Sequence, residues 1–154
     1  MIRRAEEKDL KKIAIFEERL LALHHKERPD IFKEPIAFKI EDLKYLVDSK
    51  DILTFVYIED DEVVAFISAE TFVRKHALLN TEKSCHINDL YVDEDHKRRG
   101  IATKLIDHLI EYCNSIDIET IELYVWSFNS EAIALYEKLG FKVRKYDMSL
   151  SLKK

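Results

Sequence analysis

Leu90-Tyr91-Val92-Asp93-Glu94-Asp95-His96-Lys97-Arg98-Arg99-Gly100-Ile101-Ala102-Thr103-Lys104-Leu105 reads as an apolar strand, a charged turn and the start of an amphipathic helix. The first turn of a helix carries backbone N–H groups with no intrahelical partner. Aligned peptide dipoles add partial positive charge at the same end. Lys97, Arg98 and Arg99 bring full positive charge beside those donors. Gly100 and Ala102 keep side-chain bulk away from the place where ligand oxygens approach. Together these features describe a phosphate or pyrophosphate cradle at a helix N-terminus.

Working outward, Ile101 to Cys113 continues as a helix with Ile101, Leu105, Leu109 and Tyr112 on one face. Upstream of the cradle, Cys85 to Val92 reads as a strand. Ile52–Ile58 and Val63–Val73 form a hairpin turned by Glu59-Asp60-Asp61-Glu62, and Arg74 to Glu82 reads as a polar loop. Earlier still, Met1 to Arg4 is a short strand. A helix begins near Glu7, with Leu10, Ile13, Phe16, Leu20 and Leu23 at helical spacing, and Pro29 ends it. A second helix covers roughly Ile40 to Val47. Downstream, Thr120 to Val125 is a strand, and Ser130 to Leu139 is a short helix capped by Asn129 or Ser130 and stopped by Gly140. From Phe141 a last strand ends with the alternating Met148, Leu150 and Leu152. The expectation is one α/β domain over residues 1–154, with about four helices flanking a mixed central sheet of about six or seven strands.

The bulk properties narrow the function. With 154 residues, 47% hydrophobic and 36% charged, the chain is long enough and apolar enough for a substantial core. A net charge of -5 argues against a nucleic-acid partner, which needs a basic face, and leans toward cationic ligands such as amines. No apolar run approaches the ~20 residues of a membrane span, and Met1 to Glu7 lacks the apolar core of a signal peptide. Cys85 and Cys113 form no CxxC or Cys/His metal spacing, so two buried thiols in a reducing cytoplasm are expected, with no metal.

Two parts of the chain belong together: Lys97-Arg98-Arg99-Gly100-Ile101-Ala102 and Asn129-Ser130-Glu131-Ala132-Ile133-Ala134-Leu135-Tyr136-Glu137-Lys138-Leu139-Gly140-Phe141. The pair resembles the GNAT superfamily of acyl-CoA-dependent N-acyltransferases. That family's cradle is written [QR]-x-x-G-x-[GA], with Lys97 departing at the first position but staying cationic. Its second signature, Asn…Ala…Tyr-x-x-x-Gly-Phe, is met by Asn129, Ala132, Tyr136, Gly140 and Phe141.

The resemblance implies roles. Backbone groups of Leu90, Tyr91 and Val92 hold the pantetheine arm of acetyl-CoA. Backbone N–H groups of Lys97, Arg98, Arg99, Gly100, Ile101, Ala102 and Thr103 hold the pyrophosphate. Asn129 contacts the pantetheine side, and Tyr136 protonates the departing CoA thiolate. In some members a glutamate eleven residues before the cradle relays the amine's proton, and His86 occupies that position here. Histidine titrates near neutral pH, which suits a base; Asp89 or a water chain is the alternative. By strict strand alternation His86 and Asn88 share one face, and Cys85, Ile87 and Asp89 the other. The expected activity is N-acetyl transfer from acetyl-CoA to an amine, with a catalytically silent acyl-CoA sensor or partner-docking module as the rival. The expected partners are acetyl-CoA and an amine acceptor, without nucleic acid or membrane; self-association as a homodimer stays open.

Overall fold

Asp60 and Asp61 reverse the chain with φ of 47° and 62°, the left-handed pair that a two-residue hairpin turn needs and that aspartate tolerates better than most residues. The computed structural model describes residues 1–154, in two compact units, 1–124 and 125–154. In the first unit the turn joins β2 (Ile52–Glu59) to β3 (Glu62–His76). With β1 (Ile2–Arg4), β4 (Leu79–Val92) and β5 (Thr120–Leu123) they form one five-stranded sheet in the order β1-β2-β3-β4-β5. The first four strands are antiparallel neighbours and β5 runs parallel to β4, so the sheet is mixed.

Helix α1 (Leu10–Glu27) covers one face. Its Leu10, Ile13, Ala14 and Phe16 share a buried core with Leu46, Val56, Phe66 and Tyr91. The Phe16 ring lies 6.1 Å from Phe66 and 4.8 Å from Tyr91, between centroids. The predicted helix over 40–47 is two short turns, α2 (Ile40–Leu43) and α3 (Tyr45–Asp48). The other face is covered by α4 (Ile101–Ser115), whose Leu105, Ile106, Leu109 and Cys113 are buried. Phe55, next to Val56 on β2 and so pointing the opposite way, meets His108 and Tyr112 of α4 edge-on. Arg3 clamps Asp9 with two bonds of 2.6 and 2.9 Å at the start of the first helical turn. Burial pushes the Asp9 carboxyl up, but the Arg3 fork and the Glu6 N–H together hold it below its ordinary value.

Three expectations need correction. The stretch Arg74–Glu82 is not a loop: β3 and β4 continue to a tight reversal after His76, with Val73 opposite Lys83 and Arg74 opposite Glu82. An exposed ladder needs no apolar alternation once a cross-strand ion pair, Arg74–Glu82 at 3.3 Å, occupies it. Alternation also misplaces Asp89. Ser68 pairs with Asp89 but Ala69 pairs with Ile87, so Asn88 is an extra residue in β4, a β-bulge. Past it the side chains exchange faces, and Asp89 joins His86 on the α1 side while Cys85 and Ile87 stay on the α4 side.

The second unit contains α5 (Ser130–Lys138), and residues after Phe141 form no strand, which leaves five strands where six or seven were expected. The alternation of Met148, Leu150 and Leu152 is present, but a strand exists only when its N–H and C=O groups find a ladder, and local pattern does not supply one.

Candidate active site

The cradle begins where β4 ends. Asp93 caps the following turn by accepting the Glu94 N–H at 2.9 Å, and is anchored from α1 by Arg19 at 2.7 Å. Arg98 and Gly100 both take left-handed conformations, φ 59° and 74°, so the chain curls just before α4 and turns successive N–H groups toward one side. Gly100 is the N-cap of α4 and offers no side-chain capping bond. Nothing lies within 4 Å of where its Cβ would stand; glycine is required here by backbone conformation, not by crowding within the protein. Lys97 is paired with Glu94 at 2.7 Å and Arg99 with Glu59. The side-chain charge of the basic run is therefore largely answered internally. What the cradle presents is first of all backbone: the leading N–H groups of Ile101, Ala102 and Thr103.

Just upstream the sheet opens. The parallel ladder between β4 and β5 runs from Ser84–Thr120 to Ile87–Leu123 and stops there. On its other side β4 remains paired with β3 through Leu90–Ile67, Tyr91–Phe66 and Val92–Ala65. From the Asn88 bulge to Val92 one edge of β4 thus faces no strand. Leu90 and Val92 have backbone groups to offer on that side; the Asp93 N–H donates to the Val64 carbonyl of β3 at 2.8 Å, so by alternation the Tyr91 backbone also turns to β3, while the Tyr91 side chain is buried against Phe16.

Two polar groupings occupy the α1 side of the sheet. In the first, the Ser68 hydroxyl donates to Asp89 Oδ2 at 3.1 Å, and Glu17 of α1 lies within reach of the Asp89 charge. Burial, then Asp89, pushes the Glu17 carboxyl up to about 8. Burial likewise raises Asp89, against the opposing effect of the Ser68 hydroxyl. Burial, then the charges of Glu17 and Asp89, raise the Tyr45 phenol. Two carboxyls this close in a poorly solvated place share protons rather than ionise independently. In the second grouping, His86 Nδ1 is 3.6 Å from Glu122 Oε1, Arg74 donates to Glu122 Oε2 at 2.6 Å, and the His86 ring meets Tyr124 at 4.6 Å.

Cys85 is fully buried on the opposite face beside Cys113, and contact with Cys113 together with burial raises its thiol. It is no partner for His86. No group of three or more His, Cys, Asp or Glu residues is placed to hold a metal ion.

In the second unit, Asn129 caps α5, its Oδ1 accepting the Ala132 N–H at 3.1 Å. Tyr136 lies on α5 with its ring edge-on to Phe141 at 5.5 Å, and Gly140 ends the helix in a left-handed conformation, φ 94°. Sequence reading overlooked Glu17, Arg74 and Glu122. Glu17 carried a legible signal: it falls on the stripe Leu10, Ile13, Leu20, where a carboxylate interrupts an apolar face. Glu122 and Arg74 carried none, because their meeting depends on which strands are neighbours.

The sequence profile described as the Acetyltransferase (GNAT) family matches residues 16–141. The [ribosomal protein bS18]-alanine N-acetyltransferase of Salmonella typhimurium is 35% identical over 82 residues, 53% of this chain and 49% of that one. The chain thus spans about half the length of that curated relative. A mutant of the BH1408 protein from Bacillus halodurans has a crystal structure similar to this one with a TM-score of 0.94 at 27% identity, covering 99% of both chains. The aminoglycoside N-acetyltransferase AAC(6')-Iy, solved in complex with CoA, shares the fold at a TM-score of 0.75 and 12% identity, over 100% of both chains. No helix is long and apolar enough to cross a membrane.

Proposed function

The chain belongs to the acetyltransferase (GNAT) family, and from that premise we propose that it transfers acetyl from acetyl-CoA to a primary amine by direct attack with both substrates bound. The observation that carries this reading is the parting of β4 from β5 after Ile87–Leu123, immediately before the left-handed Arg98 and Gly100. The open edge of Leu90 and Val92 suits an extended pantetheine arm, because its amides can pair with the strand as another strand would. The N–H groups from Lys97 to Thr103 suit the pyrophosphate.

The acceptor reaches the thioester from the α1 side. A free amine is mostly protonated at neutral pH, so it must lose a proton before its nitrogen attacks the thioester carbon. Asp89 with Glu17 is the proposed proton acceptor, since a carboxyl pair holding one proton near neutrality is poised for such transfer. The second grouping, His86 with Glu122, lies on the same face and is the other proposed route. As the C–S bond breaks, Tyr136 gives its phenolic proton to the CoA thiolate, and the products are the amide and free CoA. Asn129, whose Oδ1 serves α5, keeps its amide NH2 for the pantetheine side.

The buried carboxyls favour an acceptor that arrives as a cation. The name of the Salmonella relative specifies a protein alanine, which supports including peptide N-termini with small amines as candidates. The deciding experiment is release of free thiol from acetyl-CoA across a panel of amines and peptides. Turnover with at least one acceptor is expected. Tight acetyl-CoA binding with no turnover on any acceptor would instead favour a sensor that has lost catalysis.

A further inference from the structure

We propose that Ser68 is a positioning residue for the acceptor's proton transfer: its hydroxyl fixes Asp89 Oδ2, so that Oδ1 is presented to the amine. The role rests on Asp89 with Glu17 being the proton acceptor, and it gives the two carboxyls different tasks.

A hydroxyl stands where β3 is otherwise apolar. Val64, Ala65, Phe66, Ile67 and Ala69 are buried, and Ser68 interrupts them with no exposed surface of its own. A buried hydroxyl left without a partner is destabilising. Thr54, the neighbour of Ser68 across the β2 ladder, directs its own hydroxyl to the Leu46 carbonyl at 2.7 Å. The Ser68 hydroxyl donates to Asp89 Oδ2 at 3.1 Å, on the residue directly opposite in β4.

Two devices then hold the carboxylate. The extra residue at Asn88 turns Asp89 to the α1 side, and the Ser68 bond restricts rotation of the carboxyl group there. Oδ1 accepts no hydrogen bond from the chain, and Asp89 keeps part of its surface exposed. A base needs a lone pair directed at the proton it removes, and Oδ1 is the oxygen free to supply one.

The two carboxyls are also unequal. Burial and the Asp89 charge act on Glu17, with no hydrogen-bond donor to oppose them. Asp89 has a donor, and a hydrogen bond to the charged form favours that form. Burial raises the Asp89 carboxyl, while the Ser68 hydroxyl and then His24 oppose it. The other titratable groups coupled to the pair by charge are His24 of α1 and Tyr45 of α3. The pair's proton therefore resides on Glu17, and Asp89 is the carboxylate that takes a proton from the ammonium group. Neutral amine is left to attack, and the Ser68 hydroxyl keeps its own proton throughout.

The full chain is labelled with ¹³C at the aspartate carboxyl carbons, and Asp89 is titrated by NMR, its signal assigned with Asp89→Asn. Ser68→Ala deletes only the hydroxyl, and its Asp89 midpoint is expected to rise by about 1–2 pH units. Ser68→Thr keeps a hydroxyl and is expected to bring the midpoint back toward that of the parent. An Asp89 midpoint that is the same in Ser68→Ala and the parent overturns the proposal. Thiol release from acetyl-CoA, with alaninamide as the acceptor, gives a second readout. The acidic limb of kcat is expected to move up with the titration, so that kcat on that limb falls about 10-fold or more. A limb lost in Asp89→Asn but unmoved in Ser68→Ala overturns the role of Ser68 and leaves Asp89 as the base. A limb unaltered in Asp89→Asn brings down the base itself, and the role of Ser68 with it.

Discussion

Ser68 and Asp89 face each other across the β3–β4 ladder, hydroxyl to carboxylate at 3.1 Å, one residue beyond the bulge at Asn88. Without that extra residue Asp89 would point into the α4 side, and no carboxylate of β4 would meet Glu17. The bulge thus sets which face of the sheet becomes acidic.

Glu17 is destabilising when ionised. Its folded-state carboxyl is raised to about 8 from an ordinary 4.5, so the folded protein holds a proton that the unfolded chain has released. The favourable contribution of the protonated group is complete below about pH 4.5 and is lost as pH climbs toward 8. Glu17→Gln, uncharged throughout, is therefore expected to be more stable than the parent at pH 9, by roughly 1–3 kcal/mol, and nearly equal to it at pH 4. Urea unfolding at the two pH values measures the difference; equal gaps at both would contradict the shifted carboxyl.

The base is separable by pH profile. If Asp89 with Glu17 takes the amine's proton, Asp89→Asn lowers kcat by about 10²-fold or more and removes the acidic limb of the rate profile. His86→Ala then keeps that limb. A limb that disappears in His86→Ala and persists in Asp89→Asn assigns the proton to the histidine instead.

Gly100 is tested by two substitutions. Gly100→Ala meets no neighbour but must hold φ near +74°, at a cost of about 1–2 kcal/mol of stability. Gly100→Glu adds a carboxylate where an anion is proposed to sit, and acetyl-CoA affinity is expected to fall at least 100-fold by calorimetry. Undiminished affinity in a folded Gly100→Glu protein would remove the cradle from the ligand site.

Tyr136→Phe keeps the ring that meets Phe141 and deletes only the hydroxyl. Turnover is expected to drop about 10²-fold with acetyl-CoA affinity little changed. A loss seen in affinity alone would make Tyr136 a binding residue.

Phe16 joins α1 to the sheet through Phe66 and Tyr91. Phe16→Ala is expected to cost about 3–5 kcal/mol in urea unfolding, since the side chain is fully buried.

The cradle, the long helix after it and the Asn129-to-Phe141 signature were legible because each rests on neighbours within a dozen residues. Helix periodicity, a left-handed glycine and an N-cap are local properties, and the chain states them directly. The hairpin turn at Asp60-Asp61 belongs with them. By itself, then, the sequence determined where the turn into α4 lies, what kind of helix follows it and which family the chain resembles.

Tertiary structure decided the rest. Whether Arg74–Glu82 is loop or ladder depended on a partner strand whose charges match. Which way Asp89 points depended on one unpaired residue in β4, since an insertion of one reverses a period of two. The meeting of Glu17 with Asp89, and of Arg74 with Glu122 and His86, depended on helix placement and strand order, which no window of sequence contains. The sheet edge after Ile87 opens for the same reason: hydrogen-bond pairing between distant strands ends where their paths diverge, and only the folded chain sets those paths.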